Sequence, residues 1–347
     1  MIRKLIIVSL FLISGTIGVL WIGAVTSLDH NRQHTSVTAA LPEFDALAAK
    51  QPTARLFQLE ANGYVFRTRA AGFPGRAGNV ILLHGFPETS IMFDDTMTTL
   101  AAAGYAVVAF DQRGYSPGAR PEAVSDYSVD RLVSDVRAVA RAVGFDHYHL
   151  VGHDWGAAVG WTLVMEDAQD VDSWSALSIP HLKAYREAMR SDPDQQQRSS
   201  YISFFRLPWL PETLFSFNRL NLLVTSVYAD HEARIVDEYL QVLAEPGALT
   251  AALNWYRAGD LTAETDDSAA QLEPKIDIPV LLVWGTEDPV VGQRALAAQQ
   301  QYLLGDYREV ALDTGHWLLQ TRSAATIAAI VNHISTVEQS SINDQSY

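Results

Sequence analysis

The chain has 347 residues, 48% of them hydrophobic, and its 25 Lys and Arg against 40 Asp and Glu leave a formal charge of −15. A chain this apolar buries a large core and is not disordered, while a surface this acidic repels nucleic acid and anionic lipid, which leaves a small neutral molecule as the expected partner. There is no cysteine, so thiol catalysis, disulfides and thiolate metal sites are excluded.

Arg3 and Lys4 precede an uncharged run from Leu5 to Val25. The run is long enough to span a bilayer and longer than a usual signal-peptide core. With the two cations held in the cytoplasm, it is expected to be an uncleaved signal anchor that puts everything after Val25 outside the cytoplasm. The alternative is a cleaved signal and a secreted protein, for which Val37-Thr38-Ala39 is a loose small-x-small site. Ser27 to about Ala49 is mixed, polar and small, so residues 1–49 read as anchor and linker.

A hairpin is expected next, Arg55 to Glu60 and Tyr64 to Ala70, around Asn62-Gly63, which supplies the positive φ of a tight reversal. Buried strands follow at Asn79 to Leu83 and Ala106 to Phe110, then a helix over Val129 to Val143 with Leu132, Val133, Val136, Val139, Ala140 and Val143 on one side. His147 to Val151 is a strand, and Ser175 to Ile179 another. From Pro180 to about Ala270 the chain is rich in Tyr, Trp, Phe, Arg and Gln, has helical spacing, and reads as an inserted cap (181–270) over a largely apolar pocket. The strand–helix rhythm resumes with a strand at Pro279 to Trp284, a helix near Gln293 to Leu304, a strand at Tyr307 to Leu312 and a helix from Ser323 to about Ser335. The expected fold is α/β, a mostly parallel sheet flanked by helices, with core segments 50–180 and 271–336 and a polar tail, 337–347.

The organising stretch is Leu150 to Ala158, in which a strand ends in Gly152-His153-Asp154-Trp155-Gly156 and runs into a small-residue helix. This is the pattern of a nucleophile elbow with Asp154 at its tip. A carboxylate there is a poor acyl-transfer nucleophile, because attack only makes a mixed anhydride. It displaces leaving groups from sp³ carbon instead, which points to epoxides or alkyl halides. Asp288 and His316 each follow a strand as Asp154 does, in the order nucleophile, acid, histidine, at the carboxyl edge where open α/β sheets place their sites. Singly, His316 reads as a structural histidine and Asp288 as an Asp-Pro turn residue. Together they supply what an ester on Asp154 requires: a near-neutral base to activate water, and an acid to orient it. The backbone N–H groups of Phe86 and Trp155 are placed to form an oxyanion hole, and His84 reads as structural.

These motifs, HGFPE (84–88), DQRGYS (111–116), GHDWG (152–156), GTEDP (285–289) and TGHW (314–317), resemble an α/β-hydrolase of the epoxide hydrolase group over about residues 52–335. The resemblance implies a core sheet with one antiparallel strand, a helical cap over its carboxyl edge, and two cap tyrosines that open the epoxide. These match Tyr201, in a Tyr-x-x-x-Phe stretch, and Tyr256, in Asn-Trp-Tyr-Arg. Spacing alone reads both as packing residues; the motifs reverse that, and a phenol that protonates the departing alkoxide makes chemical sense. Tyr185, Tyr228 and Tyr239 read as structural. Neither cofactor nor metal is called for.

Haloalkane dehalogenases resemble the chain at Asp154, Trp155 and His316, but where that family commonly carries an Asn halide donor this chain has Phe86. Fluoroacetate dehalogenases carry Arg at the position of Trp155. A non-catalytic binding protein on the same fold has no need of Asp154, Asp288 and His316 together.

Overall fold

The computed structural model describes residues 41–44, 54–217, 220–259 and 276–344. The expected anchor, residues 5–25, lies outside them; among the described residues no helix is long and apolar enough to cross a membrane.

Eight strands form one sheet: β1 (Arg55–Ala61), β2 (Tyr64–Ala71), β3 (Gly78–Leu83), β4 (Tyr105–Phe110), β5 (Tyr148–His153), β6 (Val171–Leu177), β7 (Val280–Gly285) and β8 (Tyr307–Leu312). Their order is β1-β2-β4-β3-β5-β6-β7-β8. β2 runs antiparallel to both of its neighbours, while every other pair is parallel, so one strand is reversed. Asn62, at φ 51°, and Gly63, at φ 75°, turn the opening hairpin. β4 and β5 are buried throughout and β3 from Val80 onward, with apolar centres, as expected of parallel strands covered on both faces. Each of Ile81, Val108, Leu150 and Val151 is wholly removed from water, worth about 1.5–3 kcal/mol apiece.

Helices α1 (Asp94–Ala102), α2 (Val129–Ala142) and α3 (Trp155–Glu166) cover the sheet. α2 buries Leu132, Val133, Val136, Val139 and Ala140. Seven helices lie between β6 and β7 among the described residues: α4 (Leu182–Ser191), α5 (Pro193–Arg198), α6 (Tyr201–Phe205), α7 (Leu210–Ser216), α8 (Asn221–Ser226), α9 (Ala233–Leu243) and α10 (Ala248–Ala258). Directional polar contacts pin them to the core. The Trp255 indole donates to the Arg113 carbonyl at 2.8 Å, the Tyr228 hydroxyl to the Pro87 carbonyl, and Arg120 pairs with Glu245 at 2.7 Å. The chain closes with α11 (Gln293–Ala298), α12 (Leu318–Thr321) and α13 (Ser323–Asp344).

Three boundaries differ from expectation. β6 starts at Val171, because Asp172 and Ser173 interrupt the apolar run without interrupting the backbone ladder. The helix expected near Gln293 to Leu304 ends at Ala298 and tightens to a 3₁₀ turn over Gln299–Tyr302. The last helix continues to Asp344, into what reads as a polar tail.

Candidate active site

The turn after β5 sets the geometry. Asp154 sits at φ 51° and ψ −120°, a conformation that costs a non-glycine residue about 1–3 kcal/mol and lifts its side chain clear of strand and helix. Its neighbours must be small. A Cβ at Gly156 would stand 2.1 Å from the Leu83 carbonyl oxygen, and one at Gly85 would stand 2.4 Å from the Asp154 Cβ. Glycine at these two positions lets the loops after β3 and β5 meet.

The Phe86 N–H donates to Asp154 Oδ1 at 2.8 Å. The Trp155 amide is the first of α3, among the four that no carbonyl within a helix can take. His316 stands on the other side, with Nε2 3.4 Å from Asp154 Oδ2 and Nδ1 2.8 Å from Asp288 Oδ2. Asp288 Oδ1 accepts the Val290 N–H at 2.7 Å and the Val291 N–H at 3.3 Å, which turns Oδ2 toward the imidazole. All three side chains are buried. Burial alone would push the His316 pKa down. The Asp288 charge, with the bond the imidazole donates to Asp288 and the Asp154 carboxylate beside its other nitrogen, more than reverses this and raises it to about 10, which favours the imidazolium.

Tyr201 and Tyr256 face the same space from the cap. With Asp154, Trp155, Leu182 and Tyr185 they line a cavity of about 20 Å³, room for about one water molecule. The Tyr201 and Tyr256 rings stand edge-on to each other, with centroids 6.2 Å apart. Burial first, then Tyr185 and Asp154 at Tyr201, and Tyr201 and Asp154 at Tyr256, hold both phenols well above the usual tyrosine pKa, so each keeps its proton. The Tyr256 ring meets Phe86, Trp155 and Phe205 edge-on, with centroids 5.2, 5.1 and 5.0 Å away. His84 is tied down as expected, its Nδ1 2.9 Å from the Gly85 carbonyl oxygen while Nε2 accepts the Gln112 N–H at 3.0 Å.

Two features escape the sequence. Tyr185 lines the cavity instead of only packing the cap. Glu88 forms a buried cluster behind His316: His153 Nδ1 lies 3.1 Å from its Oε2, His231 Nε2 lies 3.4 Å from Oε1, and the Tyr239 hydroxyl donates to Oε1 at 3.1 Å. Burial favours protonation of Glu88, but the bonds and charge from His153 and His231 prevail and lower its pKa to about 2. His153 Nε2 in turn donates to the His316 carbonyl at 3.0 Å, and Ser178 Oγ does so at 3.1 Å, which fixes the backbone under the histidine. The only local signal was Glu88 directly after the His-Gly-Phe-Pro turn.

Comparison with known proteins adds a family. The model described as "Alpha/beta hydrolase family" matches residues 80–329. Epoxide hydrolase A of Mycobacterium tuberculosis is 33% identical over 327 residues, covering 83% of this chain and 98% of that protein. The AB hydrolase superfamily protein YfhM of Bacillus subtilis is 29% identical over 281 residues, 80% of this chain and 96% of the other. Among crystal structures, epoxide hydrolase A from Mycobacterium thermoresistibile has a TM-score of 0.68 at 27% identity, covering 81% of this chain and 98% of that one. An epoxide hydrolase from Bacillus megaterium has a TM-score of 0.72 at 24% identity, over 80% of this chain and 99% of that one, a likeness that shows the fold.

Proposed function

This chain belongs to the alpha/beta hydrolase family, within its epoxide hydrolase group, and we propose that it opens an epoxide to a vicinal diol through an ester on Asp154. One observation carries the reading: a buried carboxylate has a backbone N–H on one oxygen, an imidazole beside the other, and two protonated phenols across the same cavity.

In the first half-reaction an Asp154 carboxylate oxygen attacks a ring carbon. The C–O bond to the epoxide oxygen breaks, and that oxygen takes a proton from Tyr201 or Tyr256, leaving a hydroxyl and a phenolate. Ester formation removes the Asp154 charge. His316 then loses part of what holds its pKa near 10 and can give up its proton, which restores the phenol. In the second half-reaction neutral His316 takes a proton from water as the water attacks the ester carbonyl. The oxyanion forms against the N–H groups of Phe86 and Trp155; collapse expels the diol, protonated from His316, and leaves Asp154 as the acid, whose proton returns to His316 to restore the carboxylate and the imidazolium. Asp288 stabilises the imidazolium throughout.

The halide reading is weaker here. Phe86 offers no side-chain donor to a departing halide.

The test is isotopic. With enzyme in excess over a terminal epoxide in ¹⁸O-water, one turnover is expected to put the label in Asp154 and none in the diol, because water attacks the ester carbonyl. Label in the diol on the first turnover would mean direct attack by water and remove the ester.

We also propose that residues 5–25 tether the catalytic domain outside the cytoplasm, or that it is secreted if the segment is cleaved, as the charge-free run after Arg3-Lys4 supports. Protease added to intact spheroplasts is expected to digest the domain; full protection inside them would overturn this.

A further inference from the structure

The loop bearing Asp288 is gripped from outside by the cap helix α5. Gln195 on that helix has no exposed surface. Its carboxamide nitrogen donates to the Val290 carbonyl at 2.8 Å and to Ser199 Oγ at 2.9 Å, and its oxygen accepts the Gly292 N–H at 2.8 Å. Ser199 Oγ is in turn 3.0 Å from the Tyr185 hydroxyl, at the cavity wall. One helical turn on, Arg198 donates to the carbonyl of Asp288 itself at 2.6 Å.

Val290 and Val291 carry the N–H groups that turn the Asp288 carboxylate toward His316. Gln195 holds that segment by a carbonyl on one side and an amide on the other. The carboxamide presents a donor and an acceptor to that pair at once, which an isosteric leucine cannot. Gly292 leaves space for it, since a Cβ there would come within 3.3 Å of Gln195 Oε1.

We propose that Gln195 is a positioning residue for the second half-reaction: through the Val290–Gly292 segment it makes the orientation of Asp288, and hence ester hydrolysis, depend on the cap being seated. Ester formation uses Asp154, Phe86 and the two tyrosines, none of which bonds to Asp288, so it depends far less on this support. The inference rests on the ester mechanism proposed above.

The experiment is a single-turnover cycle on the full chain with Gln195→Leu, Asp288→Asn and the double variant, following ester formation and ester decay on Asp154 separately. Gln195→Leu is expected to slow decay about tenfold while formation changes less than twofold, and to shift the pH midpoint of decay downward, because a loosened Asp288 supports the imidazolium less well. In the Asp288→Asn background the same change is expected to slow decay less than twofold, since its route of action is gone. A full tenfold loss in that background, or equal slowing of both half-reactions, would overturn the proposal. Should Gln195→Leu not fold, Arg198→Met removes the other grip, on a side chain that reaches solvent, and the same pattern is expected. His316→Gln separates the two ideas. If it traps no ester, the ester mechanism falls and this inference with it; if it traps the ester while Gln195→Leu hydrolyses at the wild-type rate, the role of Gln195 alone falls.

Discussion

His316→Gln consumes one equivalent of epoxide per active site and stops, with the peptide containing Asp154 heavier by the mass of the substrate. A positioned general base contributes about 10²- to 10⁴-fold, and water at the ester has no other base as close, so turnover falls by at least that range. Formation slows too, but less. Without the imidazole beside it, the Asp154 carboxylate loses the group that stands 3.4 Å from its Oδ2 and helps to hold it for attack. Intact-protein and peptide mass spectrometry check this directly. An unmodified Asp154 peptide, with wild-type enzyme turning over the same compound, would show that the nucleophile lies elsewhere.

Replacing both Tyr201 and Tyr256 by Phe is expected to lower ester formation from a terminal epoxide by about 10²- to 10⁴-fold, with each single change costing less because its partner still donates. Phe keeps the edge-on contacts of the Tyr256 ring with Phe86, Trp155 and Phe205 and that of Tyr201 with Phe205, so the cap stays packed. A melting curve reports any change in stability separately from the change in rate. An alkyl halide needs no proton for its leaving group, so ester formation from a haloalkane should respond far less. Rapid-quench comparison of the two electrophiles tests this. A double variant that alkylates at near wild-type rate would take both phenols out of the mechanism.

Much of this was legible because the site is local wherever the backbone is special. Gly152 to Gly156 encodes its own turn, and Asp288 and His316 each end a strand whose apolar run is plain. Where the signal was long-range, the sequence was silent. Glu88 meets His153, Tyr239 and Gln320 across 65, 151 and 232 residues, and no periodicity joins them. Gln195 reads as one of three consecutive glutamines in a polar cap helix; its burial comes from the Val290–Gly292 segment seated over it. The last helix outran its pattern because the buried stripe of Ile327, Ile330 and Ile334 ends there, while the backbone continues helical through polar residues.

β6 and β7 lie side by side, with Trp174 opposite Val280, although the whole cap separates them in the chain. Closing a loop costs only about 0.6 kcal/mol more for each doubling of its length, no more than a single net hydrogen bond. Length can therefore be gained or lost between these strands at almost no penalty to the sheet, and this is the segment that shapes the cavity. Descendants of such a chain can acquire new substrates by insertion and deletion in the cap while Asp154, Asp288 and His316 stay where they are, provided the few cap residues that reach back to the core survive each change.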